Sequence, residues 1–358
     1  MGVVGVSICD PLASIQDSIF SDRLDLPGST TTIRDVAKLA GISVASVSRV
    51  LNGHSKVTPE TRDKVLSAVN ALGYSPNLAA RSLSTSRTQA IGVVLPDMHG
   101  EFFSELLRGM DRAASERGYL LLLSNIHADA LIAGQVLAAL RGRVDGLVVM
   151  APQLDEEVRE SALPRNLPIV LVNSPGSHGR PTLRIDNAGG VAAMVKHLLE
   201  SGRRRIVHLA GVAENIDAIE RRQAYLDAMA RLAPDLPVRV VQGNFDEASG
   251  EALVRTLLAE GLPVDAILAA NDMMALGALQ TLRNAGVAVP EQVAVSGFDD
   301  VPLARYLDLT TVAVDIAGLG ARAVEVLIST LQDQPGPVAT EFCETRLVVR
   351  ATTCAACD

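Results

Sequence analysis

Polar side chains of one chemical kind follow several short apolar segments between residues 91 and 299. Carboxylates, amides and an arginine can hydrogen-bond sugar hydroxyl groups in pairs, and an aromatic ring can cover the apolar C–H face of a pyranose. Three of the six phenylalanines of the chain lie among these residues. The pattern indicates a binding site for a small hydroxylated ligand. Its candidate residues are Asp97, Phe102, Phe103, Asn125, Asn215, Asp217, Arg221, Asn271, Asp272, Phe298 and Asp299.

Each candidate also has a purely structural interpretation. Asp217 or Asp272 could cap the helix that follows it, because a carboxylate accepts hydrogen bonds from the unpaired N–H groups of a first helical turn. Phe103 could belong to a hydrophobic core. The sequence leaves both interpretations open for each of these residues.

Catalysis is not supported by the sequence. It contains no GxSxG elbow, no P-loop and no HExxH motif. The segment Gly318–Ala323 fits the GxGxxA dinucleotide fingerprint, but too few residues follow it for a βαβ unit with its acidic residue. We interpret it as a close helix start or a crossover, and we expect neither an enzyme nor a bound cofactor.

Alternating strands and helices would position the candidate residues. Continuous apolar strands with intervening helices indicate parallel sheets covered on both faces. About 260 residues exceed what one such sheet needs, so two α/β lobes with a ligand between them, at the carboxyl ends of the strands, are expected. Strands are predicted at Ile91–Leu95, Tyr119–Leu123, Gly146–Met150, Ile169–Val172, Ile206–Leu209, Ala266–Ala269 and Val293–Val295. Helices are predicted at Phe103–Arg117, Gly189–Glu200, Ala218–Leu232, Ala248–Glu260 and Met273–Ala285.

A separate pattern precedes this region, in residues 32–52, which read TIRDVAKLAGISVASVSRVLN. Two short helical patterns, Ile33–Ala40 and Val44–Leu51, flank a turn in which Gly41 allows the left-handed conformation. Thr32 with Asp35, and Ser43 at the second start, supply oxygens for unpaired helix N–H groups. This is the plan of a helix-turn-helix, whose second helix enters the DNA major groove. The alternative is a pair of packed helices in any α domain.

A third helix and the distribution of charge favour the DNA-binding interpretation. Thr58-Pro59-Glu60 is typical of a helix start with a capping hydroxyl, and the expected apolar face is Val65, Leu66, Val69 and Leu72. Residues 30–88 carry eight basic and three acidic side chains, a net charge of +5. The whole chain has a net charge of −9, which leaves −14 for the remainder. A small basic module on a large acidic domain suits a nucleic-acid binder.

The chain resembles the lactose/galactose repressor family from about residue 31 to about residue 350. The motifs that carry the resemblance are DVAKLAGISVASVSRVLN, VTPETRDKV, YSPNLAARSL, ANDMMALGAL and VSGFDD, in that order. The resemblance implies an all-α helix-turn-helix headpiece with a hinge helix, followed by a two-lobed α/β ligand domain of the periplasmic-binding-protein type. It also implies that Arg221, Asn271 and Asp299 contact an effector. Ala224 and Gly100-Glu101 depart from the family's usual residues, which leaves the identity of the ligand open.

The same resemblance implies a mode of DNA binding. Arg49 is the best candidate to recognise guanine, and Val44 and Ala45 offer small apolar contacts to bases. Residues 77–84 resemble the hinge helix, in which Leu83 would enter a central minor-groove step and kink the duplex. So short a hinge cannot stay folded alone, which implies a homodimer on palindromic double-stranded operator DNA. The candidate DNA-binding residues are Thr32, Ser43, Val44, Ala45, Ser48, Arg49, Asn52, Asn77, Ala80, Arg81 and Leu83.

The predicted domain boundaries follow from these assignments. An extension of residues 1–30 precedes the headpiece of residues 31–75 and a hinge and linker of residues 76–89. Lobe 1 takes residues 90–187 and 317–342, lobe 2 takes residues 188–316 and 343–350, and residues 351–358 form a tail. The tail lacks a leucine heptad, so we expect no tetramerisation helix.

Composition excludes several other classes of protein. The chain has no Trp and 3% aromatic residues, so stacking on single-stranded bases is not indicated. No apolar run is long enough to span a bilayer, and residues 1–30 lack a basic start or a myristoylation site. The four cysteines form no disulfide framework, and Cys354 and Cys357 have no second pair or histidine close in sequence to complete a metal site.

The sequence thus predicts a cytoplasmic, nucleoid-associated transcription factor, a repressor of a carbohydrate-utilisation operon controlled by a small sugar-like effector. A sugar-transport receptor with the same lobed fold and a ligand-dependent activator are the alternatives. The sequence does not say whether the effector releases or promotes DNA binding.

Overall fold

A computed structural model describes residues 31–51, 57–74, 87–127, 129–154, 156–164, 166–176, 179–261, 264–332, 334 and 340–354. The chain divides into two compact units between residues 84 and 85. In the described parts of the chain, no helix has both the length and the apolar character that crossing a membrane requires.

The described residues of the first unit form three helices, α1 (Ile33–Ala40), α2 (Val44–Leu51) and α3 (Pro59–Leu72). Gly41 ends α1 with φ +67°, and its N–H donates to Lys38 O. At the start of α2 the Ser43 hydroxyl accepts a hydrogen bond from Ser46 N at 3.2 Å. The predicted helix-turn-helix is therefore confirmed, including its left-handed glycine and the serine cap.

All three helices contribute to a small hydrophobic core. Its buried members are Val36, Ala37, Val47, Val50, Val65 and Ala68. The predicted apolar face of α3 was wrong at one position, because Leu66 is 46% exposed and Ala68 is buried in its place. The Thr58 hydroxyl also does not cap α3; it lies 2.9 Å from the Thr61 hydroxyl, so the Thr58 carbonyl alone accepts from the first turn, at Arg62 N.

The second unit contains two parallel sheets and a short antiparallel pair of strands. The larger sheet has the order β11-β5-β4-β3-β1-β2, the smaller has the order β7-β6-β8-β9, and β10 pairs with β12. The strands are β1 Ala90–Leu95, β2 Leu120–Asn125, β3 Gly146–Val149, β4 Ile169–Val172, β5 Thr182–Ile185, β6 Ile206–Ala210, β7 Arg239–Gln242, β8 Ala266–Ala269, β9 Ala294–Ser296, β10 Thr311–Val314, β11 Thr340–Cys343 and β12 Thr345–Val348.

Helices cover both sheets and enclose the cores. Strands β1, β3, β4, β6, β8 and β9 are buried along their whole length, as expected for parallel strands with helices on both faces. The helices are α4 Glu101–Ser115, α5 Ala130–Leu140, α6 Glu156–Ala162, α7 Asn187–Glu200, α8 Ile216–Leu232, α9 Glu247–Ala259, α10 Asp272–Asn284, α11 Pro302–Tyr306 and α12 Ile316–Leu331.

The chain passes between the two sheets at β5–α7, β10–α12 and β11–β12. The first two crossings use the same local structure, in which Asp186 or Asp315 accepts a hydrogen bond from the N–H of the residue three positions on, at 2.9 Å. At the second crossing the donor is the N–H of Gly318, where a Cβ atom would lie 2.1 Å from the Asp315 carboxylate. The glycines of the GxGxxA segment therefore serve a helix start, as the sequence indicated. Gly320 likewise lets α12 approach the backbone of α4 at Leu106.

Candidate ligand cleft and nucleic-acid interface

One face of α2 in the first unit is available for contact with a partner. Val44, Ala45 and Arg49 are exposed and Ser48 is half-buried, whereas Val47 and Val50 point into the core. Val44 and Ser48 lie four residues apart along the helix, as do Ala45 and Arg49, so the four side chains share one side of it. Thr32 and Ser43 are exposed at the starts of the two helices. Five candidates lie outside the described residues: Asn52, Asn77, Ala80, Arg81 and Leu83.

The start of α1 is fixed by a carboxylate. Asp35 accepts hydrogen bonds from the Thr32 backbone N–H at 2.8 Å and from the Thr32 hydroxyl at 2.7 Å. These two hydrogen bonds, the hydroxyl first, lower the pKa of Asp35 below its ordinary value. The arrangement holds the entry of the helix-turn-helix in one conformation.

The second unit contains a cleft of about 330 Å³ where the carboxyl ends of the two sheets face each other. This is the position at which open α/β sheets bind ligands. Its volume is at the lower end of the range for small-molecule sites, about 300–1,000 Å³. The cleft is lined by Pro96, Asp97, His99, Gly100, Phe102, Phe103, Met150, Pro152, Gln153, Asn173, Val212, Asn215, Asp217, Arg221, Asn244, Phe245, Asp246, Asn271, Met273, Asp299 and Val301.

Eight of the eleven candidate effector residues line this cleft. They are Asp97, Phe102, Phe103, Asn215, Asp217, Arg221, Asn271 and Asp299. They come from four segments of the chain, which follow β1, β6, β8 and β9, so the fold brings together what the sequence holds far apart. Phe103 lines the cleft and also packs on the core, so both of its interpretations hold.

The other three candidates, Asn125, Asp272 and Phe298, are not among the residues that line this cleft. Asn125 ends the edge strand β2 and accepts a hydrogen bond from His127 N at 2.8 Å. The Asp272 carboxylate is directed away from the cleft and accepts from the Thr311 hydroxyl and Val301 N. Phe298 is 1% exposed and lies beneath Arg221.

Arg221, from α8, organises the floor of the cleft. Its Nε donates to Asn187 Oδ1 at 2.8 Å, Nη1 donates to Ala270 O at 2.6 Å, and Nη2 donates to Asp299 Oδ1 at 3.3 Å. The guanidinium carbon lies 3.7 Å from the centre of the Phe298 ring, a cation–π geometry. Since its charge is paired and its fork is held from four sides, the guanidinium has one orientation.

The carboxylates beside Arg221 are buried and electrostatically unusual. Burial raises the pKa of Asp299 to about 7, although the nearby Arg221 charge acts in the opposite direction. Burial likewise raises the pKa of Asp217, which accepts from Asn187 Nδ2 at 2.9 Å. Two carboxyl groups poised in this way can accept hydrogen bonds from ligand hydroxyls, which would favour their ionised forms.

The backbone of the cleft is strained where the lining side chains are presented. Asn173, Phe245 and Asp299 all have positive φ, at +41°, +76° and +110°. Such conformations cost about 1–3 kcal/mol each and cluster at ligand sites. Among the described residues, neither side-chain atom of Asn173, which is 1% exposed, has a hydrogen-bond partner, and the buried Gln153 Oε1 has none either. These two side chains of the cleft wall therefore have hydrogen-bonding capacity that the described residues do not use.

Sequence reasoning missed the lining residues after β3, β4 and β7. Met150 and Asn173 directly follow two strands that were predicted, so the carboxyl-end rule could have found them. Asn244 and Phe245 follow β7, a half-buried strand that has no continuous apolar run and was not predicted.

The caps of α8 and α10 differ from the expected ones. Asn215 and Asn271 cap these helices, accepting from Asp217 N at 2.9 Å and Met274 N at 3.0 Å, whereas Asp217 and Asp272 do not. Asn271 also donates to Phe245 O at 2.8 Å. Asn271 therefore caps α10 and also fixes the backbone at Phe245, which lies in another part of the cleft wall.

No metal site is formed by the described residues, in which no three His, Cys, Asp or Glu side chains are grouped for a metal ion. Cys354 lies 4.0 Å from His197 Nε2. Its CxxC partner Cys357 is outside the described residues.

Comparison with known proteins followed the same two-part division. The family described as bacterial regulatory proteins, lacI family, matches residues 32–77, and the periplasmic binding protein-like domain matches residues 195–353. The HTH-type transcriptional regulator GalS of Salmonella typhimurium is 36% identical over 303 residues, 83% of this chain and 89% of that protein.

Two solved structures are similar over almost the whole chain. The lac repressor dimer bound to operator and the anti-inducer ONPF has a TM-score of 0.83 and 28% identity, covering 91% of this chain and 100% of its own. A transcriptional regulator CelR–cellobiose complex has a TM-score of 0.67 and 31% identity, covering 90% of this chain and 99% of its own.

Proposed function

The chain belongs to the lacI family of bacterial regulatory proteins, and on that premise we propose that it represses a carbohydrate-utilisation operon in response to a small sugar-like effector. It is a ligand-controlled DNA-binding regulator of transcription and not an enzyme.

The exposed face of α2 is the surface proposed to enter the major groove. Arg49 presents the forked donor that suits the O6 and N7 atoms of guanine, and Val44 and Ala45 suit a thymine methyl group. Thr32, Ser43 and the net positive charge of the surrounding segment would hold phosphates, which fix orientation without reading sequence. Leu83 would enter the minor groove at the centre of the operator.

A homodimer is proposed to bind the two halves of a palindrome. In support, the edge strand β2 exposes Leu120, Leu122 and Leu123, whose exposed fractions are 62%, 38% and 46%. A leucine-rich sheet edge left in water invites pairing with another chain, and a second copy of this chain would cover it. The similar lac repressor structure is a dimer on operator.

The observation that carries the effector proposal is the Arg221-centred cluster of buried carboxylates and amides, with phenylalanine rings on another part of the cleft wall. Hydroxyl groups pair with the former, and the C–H face of a sugar ring packs on the latter. The similar CelR structure holds cellobiose. The protein would act in the cytoplasm, where its operator lies.

The test is fluorescence anisotropy of a labelled palindrome from upstream of a neighbouring sugar operon, with random duplex as competitor. Arg49→Ala should relax sequence preference, whereas Lys38→Ala on α1, as the matched control, should weaken binding to all sequences alike. A panel of mono- and disaccharides identifies the effector. If one sugar releases the protein from DNA, that sugar acts as an inducer of a repressor. If a sugar is instead required for DNA binding, the effector promotes binding and the control is opposite to the proposed one. Salt-sensitive, sequence-blind binding without any sugar effect would refute the proposal.

A further inference from the structure

The described wall of the cleft has an uneven balance of charge. Four carboxylates line it, those of Asp97, Asp217, Asp246 and Asp299, against the guanidinium of Arg221 and the imidazole of His99. The imidazole is 66% exposed, and its Nε2 lies 3.7 Å from the Glu247 carboxylate. The ionisable groups that meet a ligand are therefore mostly negative.

The charge of Arg221 is already matched. Its side chain is 4% exposed, and its three nitrogens donate to the protein groups described above, including Asp299. Asp217 is also close enough for the Arg221 charge to affect it. An anionic group placed here would meet two buried carboxylates and one guanidinium that is already paired, and the described lining residues include no lysine and no second arginine.

The polar atoms that lack partners are uncharged. Asn173 presents an amide donor and an amide acceptor, both buried and unpartnered among the described residues, and Gln153 presents a carbonyl oxygen. These groups lie on the wall formed by β3 and β4, across the cleft from Arg221. Amides pair equally well with hydroxyl donors and acceptors, so the open positions of the wall match a ligand with hydroxyl groups and no charge.

We infer that the cleft selects an uncharged hydroxylated effector and excludes phosphorylated and carboxylated sugars. This inference rests on the proposed sugar effector and narrows it. A phosphate or carboxylate placed against Asp217 and Asp299 would lose hydration there, and a buried anion is costly unless a cation pairs with it. A unit charge at roughly 8 Å from an unmatched carboxylate in a medium of effective dielectric about 20 weakens binding by at least tenfold.

Isothermal titration calorimetry on the full-length protein tests the inference with isosteric ligands. D-Galactose and D-glucose are each compared with the uronamide, which keeps C6 uncharged, the uronate, which adds one charge at the same size, and the 6-phosphate. The uronamide should bind within a few-fold of its parent sugar, and the uronate and 6-phosphate at least tenfold more weakly. Asp97→Asn should narrow the gap between uronamide and uronate, and Glu291→Gln, an exposed carboxylate outside the cleft lining, should leave it unchanged.

The possible failures are distinct. A uronate or 6-phosphate that binds as tightly as the uncharged member overturns the inference, while the sugar effector stands. An equal gap in Asp97→Asn and the wild type would assign the discrimination to shape and overturn the electrostatic reason. If none of the eight compounds and no sugar of the mono- and disaccharide panel binds or changes the anisotropy of the DNA complex, the sugar proposal and the inference fall together.

Discussion

Replacing Arg221 with methionine should lower the unfolding temperature (Tm) of the second unit, residues 85–358. The size of this decrease should depend on pH. The substitution keeps an unbranched side chain over Phe298 but leaves Asn187 Oδ1, Ala270 O and Asp299 without their donor. Removing one partner of a buried ion pair costs about 3–5 kcal/mol. For a unit of this size, about 2–4 °C is lost per kcal/mol, so Tm should fall by roughly 10 °C.

The sign of the pH dependence follows from the carboxyl groups left behind. Burial raises the pKa of both Asp299 and Asp217, and the Arg221 charge opposes that effect. Without Arg221 the folded-state pKa values rise further above the unfolded ones. An acid with a raised folded pKa loses stability as pH rises from its unfolded value through its folded one. The Tm deficit of Arg221→Met should therefore be larger at pH 8 than at pH 5.5.

Differential scanning calorimetry of the full chain measures both effects, with Arg222→Met as the matched control. Arg222 is the next residue of the same helix and is exposed, so the control shares the helix position and the lost charge but not the buried partners. Equal shifts in the two variants would contradict the proposed role of Arg221, and so would a deficit that does not change with pH.

Three further substitutions separate stability from ligand binding. Asp272→Ala should lower Tm because it removes the acceptor of the Thr311 hydroxyl, which costs about 2–4 kcal/mol. Its sugar affinity, measured by calorimetry below the unfolding transition, should stay within threefold of the wild type. A larger loss of affinity would indicate that Asp272 contacts the ligand. Asn173→Gly should weaken sugar binding at least tenfold by titration while leaving Tm unchanged or higher, since glycine relieves the φ of +41° and the unpartnered amide. Asp35→Ala should increase amide hydrogen exchange in α1 at pH 7, because Thr32 N loses its acceptor. In the wild type the lowered pKa of Asp35 gives stability that is present above the unfolded value and lost as pH falls through the folded one. Wild-type protection in α1 that is unchanged between pH 5 and pH 2 would rule out this cap.

The elements that could be predicted from sequence share one physical property. Strands such as β4 and β8 are buried along their whole length, and their continuous apolar runs identify them in the sequence. Strands β7 and β11 are half-buried or exposed, so their side chains carry no such constraint and the sequence pattern is weak. The helix-turn-helix was predictable for a different reason, since one glycine and one serine fix its turn locally.

The sequence could predict which strand ends carry the candidate site, but not which side chains there point into the cleft. Asn271 and Asp272 are adjacent at the end of β8, and both are polar residues suited to a sugar. One residue is about 100° of rotation at a helix start, so Asn271 lines the cleft and Asp272 faces Thr311. Which of the two faces the ligand depends on where β9 and β10 pack, and that information is distributed over the whole chain.

The contacts around Asn187 connect the cleft to the first crossover between the sheets. Asn187 is the first residue of α7, directly after the segment that leaves β5, and its side chain bonds Asp217, Glu220 and Arg221. Arg184, within β5 itself, pairs with Glu220 at 2.7 Å. Asp217 and Arg221, which line the cleft, are thus each one hydrogen bond from the first crossover between the two sheets. A ligand changes DNA affinity only through its preference between two arrangements of the lobes. We propose that effector hydroxyl groups bind Asp217 and Asp299 and so alter the hydrogen bonds around Asn187, which makes this cluster the place where such a preference can arise.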